Sequence, residues 1–135
     1  MAKSVGFPAT VAVDDSGGTP RTISNDITNF TFATPRGVQD VTGVNSSAME
    51  RLLLLADFSI TLNGVFNPAA APSSHDCFKT VPSTSVTRTV TITFTTPTLP
   101  NETLFSDYQL TRAADGSLVW SAPGVLNSTV VPAWA

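Results

Sequence analysis

Nine consecutive residues, Val86 to Phe94, alternate between threonine and mostly apolar side chains: Val86, Thr87, Arg88, Thr89, Val90, Thr91, Ile92, Thr93, Phe94. Successive side chains on a strand point to opposite faces. One face of this strand is therefore all threonine, and the other is apolar except for Arg88. A half-buried strand of this kind belongs to an antiparallel sheet. The polar face carries neutral hydroxyls rather than charges. It suits contact with a neighbouring subunit or the lining of a channel, although threonine is also simply a good strand former.

The same economy of charge runs through the chain. Only 13% of its 135 residues are charged, against an apolar share of 41%, where about a quarter charged is usual. A surface so poor in charge lacks the ordinary solubility device of a monomer and is suited to being covered by copies of itself. The net charge of −3 and the scattered seven Lys and Arg argue against gripping nucleic acid, which requires a basic patch. Length predicts one domain, residues 1–135, with one sizeable core. The lone Cys77 allows no disulfide within the chain, which fits a reducing cytoplasm or a protein indifferent to redox. No signal-peptide pattern is expected in Met1–Pro8, and the run Leu52–Ala56 is too short to span a bilayer. The four N-x-S/T triplets, at Asn29, Asn45, Asn101 and Asn127, are chance products of a Ser/Thr-rich chain.

The alternation elsewhere predicts about seven antiparallel strands. Residues 10–24 read as a hairpin around Asp14-Asp15-Ser16-Gly17-Gly18, and Asp26–Thr34 as a strand with Phe30 and Phe32 on one face. Pro35–Ala48 interrupts the pattern as a long loop holding Val38, Val41 and Val44; loops this long are usually functional or disordered, and the valines argue against disorder. The stretch from Met49 is ambiguous, because an apolar run cannot be assigned by periodicity alone. The alternation from Asp57 to Asn63 favours one long strand from about Arg51 to Val65. Ser73–Val81 predicts a short helix with a serine cap and a stop at Pro82. Leu104–Arg112 and Leu118–Ala122 read as strands around an Ala114-Asp115-Gly116 turn, and Pro123–Ala135 as a terminal arm carrying Trp134. The expected class is mainly β: a sandwich or barrel of about seven antiparallel strands with one short flanking helix.

Residues with catalytic or ligating chemistry are sparse. His75, Asp76 and Cys77 sit on a predicted helix where i and i+2 do not face each other, so no nucleophile–base pair is expected. A zinc site needs three or four ligands, and Asp14-Asp15 lacks the spaced oxygens of a calcium loop. Neither a phosphate loop nor a G-x-S-x-G elbow is present. The expectation is no enzyme, no catalytic or metal residues and no cofactor.

The segment Ser47-Ala48-Met49-Glu50-Arg51-Leu52-Leu53-Leu54-Leu55-Ala56-Asp57-Phe58-Ser59-Ile60-Thr61-Leu62-Asn63-Gly64-Val65-Phe66 resembles the major tail tube proteins of long-tailed, non-contractile bacteriophages. So do Pro35–Gly43 before it, Ser74–Ser83 after it and the closing Thr111–Trp120 hairpin. The resemblance implies a β-sandwich whose copies form six-membered rings that stack into a hollow tube for genome passage, in the virion tail, after assembly in the host cytoplasm. It implies self-contact first, then tail-initiation, tape-measure and terminator partners, DNA passing without specific binding, and no membrane. An inter-subunit loop maps to Pro35–Ala48, with Pro35, Arg36, Val38, Asp40, Val41 and Val44. Terminal arms map to Met1–Pro8 and Pro123–Ala135. Lumen candidates are Asp26, Thr28, Asp57, Ser59, Thr61 and Asn63, with the Thr87-Thr89-Thr91-Thr93 row as a further possibility. A capsid-decorating or other virion β-protein and a small ligand-binding β-sandwich are the alternatives.

Overall fold

The computed structural model describes residues 9–135, so the expected arm at Met1–Pro8 lies outside the described residues. The fold is mainly β, with ten strands and one short helix among the described residues, which matches the expected class. β1 (Ala9–Asp14) and β2 (Pro20–Thr22) form the first hairpin. Its turn is built by Asp15, whose carboxylate accepts bonds from the amides of Gly17 (2.9 Å) and Thr19 (3.0 Å) and from Arg21 Nε (3.1 Å). Those bonds, the Thr19 amide first, hold the Asp15 carboxyl below its ordinary range. A 3-10 turn, Ser24–Asp26, leads into β3 (Ile27–Ala33).

β4 (Arg36–Asp40) and β5 (Arg51–Ala56) pair only with each other. Pro35–Ala48 is therefore not one irregular loop: its first part is a strand, and the whole is half of a two-stranded ribbon. The expected single strand Arg51–Val65 is two strands, β5 and β6 (Ser59–Val65). The break has a local cause. The Asp57 amide donates to the Pro35 carbonyl at 3.1 Å, closing the root of the ribbon, and Phe58 turns into the core, fully buried.

α1 (Ser74–Phe78) is capped by Ser73, whose hydroxyl accepts from the Asp76 amide at 3.1 Å. It is shorter than expected because the chain passes into tight turns through Thr80–Thr84. β7 (Arg88–Phe94), β8 (Thr98–Phe105), β9 (Gln109–Arg112) and β10 (Leu118–Leu126) complete the fold. Pro123–Leu126 thus belongs to a strand and not to an arm. The prolines misled: Pro123 faces Thr61 in the ladder, and β10 runs on past it.

The main sheet runs β2-β1-β7-β8-β10-β6-β3, with β9 beside β10. It curls on itself, so that Phe94 of β7 stacks on Phe30 (6.1 Å) and Phe32 (6.2 Å) of β3, several strands away. The corner is in β10. Its first half pairs with β9, its last residues with β8, and β6 accompanies both. Gly124 sits at that corner, where a Cβ would come within 2.6 Å of Thr103 Cγ2. Inside the curl, Val13, Leu62, Val90 and Leu99 are fully buried. Phe78 of α1 closes one end, edge-on to Phe105 (4.9 Å) and beside Trp120 (5.3 Å). Arg88, the exception on the apolar face of β7, is also buried. Its Nη2 donates to Thr80 Oγ1 at 2.8 Å and so ties the α1–β7 connector to the core.

Candidate assembly surfaces

Two surfaces stand out: a charge-free polar wall and an apolar ribbon. The wall is the outer face of β3, β6, β10 and β9. Cross-strand pairing sets its rows: Asn29 opposite Asn63 opposite Ser121 opposite Gln109, and Thr31 opposite Thr61 opposite Pro123. Ser59 lies one step further along, between Ala33 and Val125. Asn63 Nδ2 donates to Asn29 Oδ1 at 2.9 Å, so the wall is stitched by amides rather than ions. No Asp, Glu, Lys or Arg occupies these rows.

The structure unites Ser59, Thr61 and Asn63 on this wall and separates Asp26 and Asp57 from it. Thr28 adjoins it only because a bulge between Ile27 and Asn29 resets the alternation, and its hydroxyl donates to the Asn63 carbonyl at 3.3 Å. Asp57 is exposed at the ribbon root, with its carboxylate turned back to its neighbour's amide, Phe58 N, at 2.7 Å. Asp26 is not a wall residue. Its carboxylate accepts from the Ser74 amide (2.8 Å) and Asn67 Nδ2 (3.0 Å), anchoring α1. The Thr89-Thr91-Thr93 row faces outward from the opposite layer, since β7 and β3 meet through their inner aromatics. There Thr89 donates to Glu102 and Thr91 lies between Ala12 and Pro100. Thr87 precedes β7. The two threonine-rich sets cannot line one surface of a single copy. Sequence reasoning missed Asn29, Thr31, Gln109, Thr111 and Ser121. For β3 the missing information was the bulge, which a period-2 reading cannot contain.

The ribbon carries every residue expected of the inter-subunit loop. Pro35 closes its root, and Arg36 Nε donates across it to the Leu54 carbonyl at 2.9 Å. Val38 faces Leu53 and Gln39 faces Leu52. Near the tip the Thr42 hydroxyl donates to Asp40 Oδ1 at 2.6 Å and accepts from the Glu50 amide at 2.8 Å. The Thr42 hydroxyl and amide hold the Asp40 carboxyl below its ordinary range. The Val41 amide donates to the Glu50 carbonyl, and Val44 stands fully exposed at the tip. What the sequence reading missed is the four leucines, Leu52–Leu55, all exposed, Leu55 at 91%. Their one signal was the unbroken apolar run itself, which periodicity alone does not assign.

The tail after β10 folds back on its own chain. Ala135 and Thr98 exchange two backbone bonds (2.8 and 3.2 Å), and the Trp134 ring lies 6.0 Å from Phe32, half exposed. The expected arm role for Trp134 therefore meets a residue already docked within its own chain.

The helix triplet is divided among structural contacts. His75 Nδ1 lies 3.2 Å from the Tyr108 hydroxyl, Asp76 pairs with Lys79 at 3.2 Å, and Cys77 is fully buried with its thiol 3.6 Å from the Val13 carbonyl. Burial pushes the Cys77 thiol up to about 12. Among the described residues no three His, Cys, Asp or Glu gather as a metal site, and no helix is long and apolar enough to cross a membrane.

No protein-family profile and no curated protein matches the chain. Solved structures do match. The chain is similar to a chain of the tail of an empty gene transfer agent particle, refined with C6 helical symmetry, with a TM-score of 0.72, 16% identity and 98% of each chain covered. It is similar to a chain of the native gene transfer agent virion, with a TM-score of 0.71, 14% identity, and 97% of this chain and 99% of that one covered. A chain of the six-fold symmetrised anti-feeding prophage baseplate matches with a TM-score of 0.69, 12% identity, and 100% of this chain and 97% of that one covered. At these identities the likeness is one of fold. The fold is one shared with chains of phage-tail-like particles, and the likeness does not single out the non-contractile phages.

Proposed function

We propose that this chain is the repeating subunit of a phage-type tail tube. Six copies close a ring, and rings stack into a hollow tube through which the genome passes without specific binding. The observation that carries this reading is the four-stranded wall, β3-β6-β10-β9. It is free of charge on its outer face, and its outer strands, β3 and β9, each pair with only one neighbour among the described residues. Strand directions alternate across the wall. A ring rotation keeps those directions, so β9 of one copy lies antiparallel to β3 of the next. Joining them removes both free edges, which a lone sandwich must otherwise protect, and such a head-to-tail contact closes when the rotation does.

The wall then faces the lumen. Asn, Thr, Ser and Gln offer hydrogen bonds to water but no cation to hold phosphate, so DNA slides past. The β4–β5 ribbon links copies, and initiation, tape-measure and terminator proteins bind the tube ends and interior. We read the particle as a long, non-contractile phage tail assembled in the host cytoplasm. The test is sedimentation and negative-stain imaging of the purified protein at rising concentration, with tail-initiation complex added. Rings and tubes with a central channel are expected. Only monomers, or patches bound to a capsid shell, contradict the reading.

A further inference from the structure

The inner face of the wall leaves two apolar features incompletely covered among the described residues, and they lie on its opposite edges. At the β9 edge, Leu110 shares an inner row with Trp120, Gly64 and Ile27 that runs straight across the sheet. Trp120 is buried in that row, whereas Leu110 at its end is 43% exposed. At the β3 edge, the two layers part between β3 and β1 and leave a groove of about 800 Å³. Val11, Ile27, Phe30, Phe32 and Phe94 give it apolar walls, and no charged side chain lines it. Phe30 and Phe32, which stack on Phe94 there, are only half-buried. Each copy thus carries an exposed leucine on one edge and an open apolar mouth at the other.

Joining β9 of one copy to β3 of the next brings the two together. Residues directly opposite each other in a ladder share a face of the sheet. If Gln109 and Thr111 continue the polar face of Asn29 and Thr31, the stagger of the join changes only in two-residue steps. Leu110 then falls on the face of Ile27, Phe30 and Phe32 at any stagger, and points into the neighbour's groove. Burial there removes apolar surface of both copies from water, and a groove without charge suits a leucine and disfavours an ionic occupant. Resting on the tube reading above, we propose that Leu110 of each copy seats in the β1–β3 groove of the next, so that the mouth of each sandwich is closed by its ring neighbour. Ring closure is then a packing event as well as a strand-pairing one.

Neighbouring residues of β9 test this, because Thr111 belongs to the wall's outer face and Leu110 to its inner one. Leu110→Asp and Thr111→Asp are each compared with wild type by sedimentation and electron microscopy. Wild type that forms no rings or tubes defeats the tube reading itself, and this proposal with it. Where wild type assembles, Leu110→Asp should raise the concentration at which rings form by at least about tenfold, since a carboxylate without a partner is costly to bury. Thr111→Asp should change it by less than about threefold, as surface substitutions do. Equal effects of the two, or normal rings from Leu110→Asp, overturn the proposal and leave the tube standing. A photo-cross-linking residue placed singly at Leu110, or at the exposed Asn25 on the groove's rim, gives a check that does not depend on how the aspartate variants fold. In assembled particles Leu110 should capture β1 or β3 of another copy, and Asn25 should capture β9 of another copy. Capture of any other region by Leu110 overturns the proposal, as does capture by Asn25 of residues 1–8 or of a different virion protein.

Discussion

Gly64 of β6 packs against the main chain of Asp26 so tightly that a Cβ at position 64 would lie 1.8 Å from the Asp26 carbonyl oxygen. The same atom would come within 2.9 Å of Trp120 Nε1, which itself donates to the Val65 carbonyl at 3.0 Å. Backbone cannot swing aside as a flexible side chain does. Gly64→Ala should therefore destabilise by at least the ~1–3 kcal/mol typical of overpacking. Thermal unfolding is the measurement, and a melting temperature equal to wild type contradicts this packing.

Asp26 holds α1 to the wall's edge through the Ser74 amide and Asn67. Asp26→Ala leaves that buried-end amide without its acceptor, for a loss of about 1–3 kcal/mol. By contrast, Asp57→Ala at the exposed ribbon root should change stability by less than about 0.5 kcal/mol. Chemical denaturation of both variants separates the two roles. Equal effects would return Asp26 to the status of a free surface carboxylate.

Alkali should unfold the protein in a defined window. Burial raises the Cys77 thiol from 9.0 to about 12 and the Tyr108 hydroxyl from 10.0 to about 12. The unfolded chain releases these protons first, so the stabilisation is complete below about pH 9 and is lost as pH climbs through 12. Tyr108→Phe removes one of the two titrations and should flatten the fall between pH 10 and 12. In the same window of native stability, Cys77 should resist thiol reagents at pH 8, because a fully buried neutral thiol is a poor nucleophile. Denaturation midpoints against pH check the first expectation and labelling rates the second.

Val38, Val41 and Val44 are all exposed on the ribbon. Replacing the three with Ser should leave the monomer's unfolding within about 0.5 kcal/mol per site while abolishing tubes. Hydrogen exchange should find residues 38–55 unprotected in the monomer and protected in the tube. A triple variant that polymerises normally removes the ribbon from the assembly account.

The wall strand β6 was legible because its alternation is strict. Ser59, Thr61 and Asn63 were readable from sequence, since Ile60 and Leu62 between them fill the core. Leu52–Leu55 was not legible as an interface. Four leucines in a row fit a helix, a buried strand or a ribbon equally well, and only their partners decide. Thr28 and Asn29 point the same way because of a bulge, a register event that no residue type announces. The anchoring contact of Asp26 was not legible for a similar reason: its carboxylate serves Ser74, nearly fifty positions away. Pro123 suggested an ending because proline usually avoids ladders, yet β10 passes through it.

The central claim is that β3, β6, β10 and β9 form the inner wall of a six-fold tube. A cryo-electron microscopy reconstruction of assembled particles tests it most directly. The account predicts a continuous β-barrel lining the channel, with β9 of each copy hydrogen-bonded antiparallel to β3 of the next, and Asn29, Thr61, Asn63 and Ser121 facing the lumen. A reconstruction with the Thr89-Thr91-Thr93 row on the channel and the Asn63 row on the outer surface, or a particle without a channel, would contradict it.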